Sequence, residues 1–230
     1  MSLLSVRERL SPNQDDRPSG LPIDTLILHY TGMRTAREAI ERLSDPVARV
    51  SSHYVVDEDG IVLRMVPEER RAFHAGVSHW RGQTDLNGRS IGIEIVNPGH
   101  EWGYRDFPAL QMAAVCDLCL AVLARHPIPT RNVVGHSDVA PDRKDDPGEK
   151  FDWQGLAANG VGLWPKDGTA EPVSDVWQAL TDIGYRVDLD LPIVLRAFQR
   201  HWRQDVISGE LDAGTRARIG EVRQLVCWEG

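Results

Sequence analysis

A mixed α/β sheet flanked by helices, followed by a small three-helix unit, is the fold this chain predicts. Three observations carry that expectation. Short apolar runs of strand length intermix with helical patterns up to about residue 134. One run, Ser90 to Asn97, alternates with period two instead of forming a continuous block. After Trp164 the pattern is helical only.

In order along the chain, residues 11–22 are rich in Pro, Asp, Asn and Gly and read as an irregular lead-in. Thr25-Leu26-Ile27-Leu28 is a continuous apolar run, as in a central strand buried on both faces, and it ends at the turn His29-Tyr30-Thr31-Gly32. Thr35 with Glu38 three residues on forms a capping box that opens a helix to about Leu43. The runs His53 to Val56 and Ile61 to Val66 flank Asp57-Glu58-Asp59-Gly60, a hairpin signature. His53, at a strand start, reads as structural. A loop then runs from Ala72 to Arg89 and holds His74, Trp80 and Asn87.

In the strand that follows, Ile91, Ile93 and Ile95 share one face, and Gly92, Glu94 and Val96 share the other. Pro108 suits the first turn of an apolar helix from about Phe107 to Arg125, which Pro127 ends. A last strand, about Arg131 to Val134, delivers His136. Trp164 to Gly168 reads as a linker that divides residues 1–165 from residues 166–230. Helices are expected from Ser174 to Asp182, closing at Gly184, from Pro192 to about Trp202, and from Asp212 to about Val226. Ser174 and Asp212 are their N-caps, and Trp177, Phe198 and Trp202 are spaced as bundle core.

Composition narrows the function. Hydrophobic residues make up 41% of the 230, enough for a core, and the net charge of −8 argues against a nucleic-acid partner. Three cysteines without disulfide spacing favour a reducing compartment. Cys116 and Cys119 lie inside an apolar helix with no second pair, so packing outweighs metal binding. No stretch approaches the ~20 apolar residues of a membrane span. A cytoplasmic monomer is expected, with the periplasm or cell envelope as the alternative if a leader has been removed.

The chemistry gathers in Gly135 to Trp153, a polar loop broken by Pro141, Pro147 and Gly148 and entered from Val133-Val134. His136 and Asp146 could each give zinc a ligand, and His29 at a strand end could give a third, leaving one position open for water. Read alone, His29 could equally cap its strand. Glu94 lies mid-strand between isoleucines on the face where Gly92 leaves room; such a carboxylate is either working or solvated. Lys144 lies two residues before Asp146 and points to the same side of an extended loop, although a solvated lysine is the default.

Several separated motifs occur here in one order: Leu28-His29-Tyr30-Thr31, Phe73-His74-Ala75-Gly76, Ser90-Ile91-Gly92-Ile93-Glu94, Gly135-His136-Ser137-Asp138 and Arg143 to Gly148. Over about residues 20–160 the chain resembles the type 2 zinc N-acetylmuramoyl-L-alanine amidases, whose fold is related to the peptidoglycan recognition proteins. The resemblance implies one Zn2+ on His29, His136 and Asp146, with Glu94 and Lys144 as catalytic residues. It also implies cleavage of the amide joining N-acetylmuramic acid to L-alanine in peptidoglycan or muropeptides. His74 and Asn87 are candidate substrate contacts. The segments Ile183 to Tyr185, Leu195 to Arg200 and Gly209 to Thr215 look like a three-helix peptidoglycan-binding domain.

Two other functions compete. A non-catalytic recognition module is disfavoured by the presence of Asp146, Glu94 and Lys144, and a zinc peptidase acting on the stem peptide lacks a His-Glu-x-x-His motif. In the amidase reading Glu94 moves the proton and Lys144 steadies the oxyanion.

Overall fold

The computed structural model describes residues 6–228. Its centre is a six-stranded mixed sheet. The strands are β1 (Val6–Glu8), β2 (Gln14–Asp16), β3 (Thr25–Tyr30), β4 (Tyr54–Val56), β5 (Val62–Arg64), β6 (Arg70–Ala72), β7 (His79–Trp80), β8 (Gln83–Thr84), β9 (Ser90–Ile95) and β10 (Val133–Gly135). The sheet order is β1-β5-β4-β9-β3-β10, and β2–β6 and β7–β8 form separate two-stranded pairs. At the heart of the sheet β4, β9, β3 and β10 run parallel, while β4 and β5 form the expected antiparallel hairpin. The helices are α1 (Ala36–Ser44), α2 (Gly99–Trp102), α3 (Ala109–Arg125), α4 (His136–Val139), α5 (Trp153–Ala158), α6 (Val176–Ile183), α7 (Leu191–Trp202) and α8 (Ala213–Trp228).

Period-two alternation sorts the side chains into two cores. Leu26 and Leu28 of β3, Ile91, Ile93 and Ile95 of β9, and Val133 of β10 pack with α3 and α5. Ile27 of β3 and Val134 of β10 face the other way and join Val139, Trp80 and Leu86 in one cluster with α6, α7 and α8. The expected boundary near residue 165 falls in the irregular stretch between α5 and α6, and residues on both sides of it build that second cluster. Phe198 and Trp202 are buried in it, and Trp177 packs at its margin. Cys119 is fully buried in the α3 core, in keeping with a packing role.

Most element ends match the sequence, and the exceptions have local causes. Thr35 caps α1, its hydroxyl accepting from Glu38 N, and Asp212 Oδ1 accepts from Thr215 N at the start of α8. Asp175, not Ser174, caps α6, because its carboxylate reaches Gln178 N. β10 begins two residues later than expected, since residues 130–132 coil into a 3-10 turn whose Asn132 amide donates to Asp24 O. The lead-in hides a strand: β2 carries no apolar alternation and is held on β6 by pairing and by the Asp15–Arg71 and Asp16–Arg70 ion pairs. The loop after Ala72 likewise contains the short β7–β8 hairpin.

Candidate active site

Three parallel strands aim their chemistry at one place. His29 sits near the C-terminal end of β3, directly opposite Glu94 of β9 in the ladder, and His136 follows β10 as the first residue of α4. All three lie at the carboxyl edge of the sheet, where open α/β folds place their sites. Asp146 returns from the loop after α4, anchored by Ser137 N, which donates to Asp146 O at 2.8 Å.

His29, His136 and Asp146 are buried with their donor atoms together. His29 Nδ1 and His136 Nδ1 are 2.9 Å apart, and each lies 3.1 Å from Asp146 Oδ2. The hydrogen-bond network fixes the tautomers. Ser90 Oγ donates to Leu86 O at 2.6 Å, so it accepts from His74 Nε2–H at 3.1 Å. His74 Nδ1 is therefore bare and accepts from His29 Nε2–H at 3.0 Å. His136 Nε2–H donates to the carbonyl of Ala75 at 3.2 Å. Both ligand candidates thus turn a proton-free Nδ1 toward a carboxylate oxygen.

Three lone pairs converging in a buried site repel one another unless a cation sits among them. A tetrahedral zinc with bonds of about 2.0–2.1 Å spaces neighbouring donors by about 3.3 Å. The observed triangle is close to that spacing, and its two-imidazole, one-carboxylate chemistry suits zinc. Electrostatics agree: burial, then the neighbouring His136, lowers His29 to about 4, so the ring is neutral near pH 7.

Glu94 and Lys144 line the cleft of about 500 Å³ that opens over this cluster, together with His74, His136 and Asp146. Glu94 Oε2 is buried with no hydrogen-bond partner. Burial first, and Asp146 second, push its carboxyl well above the ordinary range, with Lys144 opposing. The room expected beside Gly92 is taken: a Cβ there would lie 2.5 Å from the His74 ring, so the glycine admits that imidazole.

The other sequence candidates fall elsewhere. His74 borders the cleft but is buried, and its two ring nitrogens are spent on His29 and Ser90. Asn87 does not border the cleft; its Oδ1 accepts from His74 N and Ala75 N and pins the segment carrying His74. His53 is fully buried: its Nδ1 accepts from Gly92 N–H at 2.9 Å, and its Nε2 faces Arg70 O. Four further side chains form hydrogen bonds beside the site. Tyr30 meets His100 Nδ1 at 3.0 Å, His100 Nε2 meets Glu149 at 3.1 Å, and Tyr104 donates to Pro147 O at 2.8 Å.

The N-acetylmuramoyl-L-alanine amidase family matches residues 19–149, more than half of the chain and the span that holds all three donors and Glu94. The chain belongs to that family. This amidase is 36% identical over 224 residues to the N-acetylmuramoyl-L-alanine amidase AmiD of Escherichia coli K12, covering 85% of the chain and 80% of the relative. The solved complex of that E. coli enzyme with the substrate anhydro-N-acetylmuramic acid-L-Ala-D-gamma-Glu-L-Lys superposes at a TM-score of 0.80, with 34% identity over 90% of this chain and 91% of that one. AmpDH3 of Pseudomonas aeruginosa superposes at 0.81, with 31% identity over 90% of this chain and 94% of that chain. At 90% coverage of this chain the superposition extends beyond residue 165 into the helical part. Among the described residues no helix is long and apolar enough to cross a membrane.

Proposed function

We propose that the amidase binds one zinc ion through His29 Nδ1, His136 Nδ1 and Asp146 Oδ2. Its proposed reaction cuts the amide between the lactyl group of anhydro-N-acetylmuramic acid and L-alanine. The observation that carries the metal assignment is the convergence of three unprotonated donor atoms within 3.1 Å of one another. The substrate class rests on the anhydromuramyl peptide bound by the E. coli relative.

Zinc, when bound, supplies a Lewis acid that polarises the scissile carbonyl and acidifies water. The chain's own residues do the rest. Glu94 accepts the proton of the attacking water at its unpaired Oε2 and returns it to the nitrogen of the departing L-alanine as the C–N bond breaks. A carboxyl raised by burial holds that proton long enough to deliver it. The Lys144 ammonium lines the cleft, and its charge acts on the Glu94 carboxyl. It stabilises the negative charge that gathers on the carbonyl oxygen, a contribution commonly worth about 10²–10³ in rate. His74 orients His29, and Asn87 acts one step further out by fixing the His74 backbone.

The assignment is tested with an anhydro-muropeptide, the zinc-loaded protein and a chelated control, with products identified by mass. The expected products are anhydro-N-acetylmuramic acid and a peptide beginning at L-alanine, lost on chelation and restored by zinc. Cleavage within the stem peptide, or activity undiminished by chelation, would overturn it.

A further inference from the structure

Two of the three donors, His136 and Asp146, sit at the two ends of one loop. α4, at its start, has four residues, far too few to hold an orientation unaided. Its geometry must come from outside the loop.

It comes from the C-terminal helices. Asp138, two residues after His136, is completely buried, and three donors satisfy its carboxylate. One is local, Gly135 N at 2.7 Å from Oδ2. The other two come from the helical part: Tyr185 donates to Oδ1 at 2.5 Å, and His201 Nδ1–H donates to Oδ2 at 2.7 Å. At the far end of the loop Arg200 pairs with Asp145 at 2.6 Å, one residue before Asp146. Just beyond, Gln204 donates to Phe151 O at 2.6 Å.

These partners are themselves immobilised. The Tyr185 ring packs edge-on against Trp80 at 5.1 Å and against Phe198 at 6.0 Å. The His201 ring is stacked between Trp153 and Trp202, each 3.9 Å away. Val139 of α4 is fully buried in the cluster shared with α6, α7 and α8. A buried carboxylate costs several kcal/mol to desolvate, and an apolar residue would fill a purely structural position at less cost. A carboxylate with donors from β10, from the loop after α6 and from α7, by contrast, fixes both position and direction.

We propose that Tyr185, Arg200 and His201 are positioning residues for the metal centre. They clamp the His136–Asp146 loop at Asp138 and Asp145, so the C-terminal helices set the zinc affinity of a site to which they contribute no ligand. The proposal rests on the zinc reading above. Its function for the helices is distinct from any binding of glycan.

The test measures zinc dissociation constants of the full-length chain by competition with a chromophoric chelator. Tyr185→Phe keeps the ring in the core and removes only the donor; Arg200→Gln removes the ion pair outside the core and serves even if the first variant fails to fold. Arg223→Gln is the control, breaking a 2.7 Å pair with Asp182 that links α6 to α8 away from the loop. Tyr185→Phe and Arg200→Gln are expected to weaken zinc about 10–100-fold, as loss of outer-shell partners does, with circular dichroism unchanged. Arg200→Lys should recover part of the loss, and Arg223→Gln should bind zinc as the wild type does. Wild-type affinity in both loop variants, or an equal loss in Arg223→Gln, would overturn the proposal alone. A wild-type chain that takes up no zinc would overturn the metal reading and the proposal with it.

Discussion

His29 and Glu94 stand opposite one another in the β3–β9 ladder, so their side chains leave the sheet on the same face. This one register places a ligand candidate beside the proposed proton carrier without any loop between them. Sites built on strands hold their geometry better than sites built on loops. A slip of one residue would turn Glu94 into the α3 core and Ile93 toward the cleft.

His74 gives the first prediction. Its Nδ1 accepts the proton of His29 Nε2, which leaves His29 Nδ1 bare. His74→Phe should keep the buried volume but weaken zinc about 10–100-fold. At saturating zinc its KM for a muropeptide should match the wild type. A raised KM with unchanged zinc affinity would instead make His74 a substrate contact.

The helical part gives the second. A chain ended after Lys166 uncovers Ile27, Trp80, Leu86, Val134 and Val139, all now buried against α6 to α8. At about 1.5–3 kcal/mol for each large apolar side chain, the loss rivals the ~5–15 kcal/mol that keeps a domain folded. The truncated chain should show no cooperative thermal transition by circular dichroism. A soluble truncation that melts cooperatively and cleaves muropeptide would contradict this.

Acid stability gives the third. Burial raises the Glu68 carboxyl, but donors from Arg125, His126 and Tyr54 outweigh it and bring it down to about 2. A carboxyl depressed in the folded state contributes stability above its ordinary value of about 4.5, and that contribution is lost as pH falls from there through the folded value. Wild type should therefore exceed Glu68→Gln in urea stability at about pH 5.5, with the gap closing as pH falls from about 4.5 to about 2. A gap that stays constant across that range would disprove the linkage.

The sequence carried what local patterns can carry. The β9 alternation, the hairpin turn and the Thr35 and Asp212 caps are properties of adjacent residues, and they were legible. His29, His136 and Asp146 come together in the structure, but spacing alone leaves His29 open as a strand cap; it is the family resemblance that names the three as one set. What spacing could not show were contacts across long separations. Asp138 lies 47 residues from Tyr185 and 63 from His201, and nothing local marks either partner. The sequence suggests open room beside Gly92 on the Glu94 face, but the structure gives that space to His74, 2.5 Å from where a Cβ would sit. β2 stayed hidden because ion pairs, not apolar alternation, hold it in place.

The most direct test of the whole account is the turnover of Glu94→Gln at measured zinc occupancy. The substitution keeps the shape of the side chain but removes the proton acceptor at Oε2. Zinc should remain at one equivalent, with the fold unchanged, while kcat on an anhydro-muropeptide falls by about two to four orders of magnitude. Near-normal turnover at full zinc occupancy would contradict the account, and Glu94 would then be a buried strand residue with no part in the chemistry.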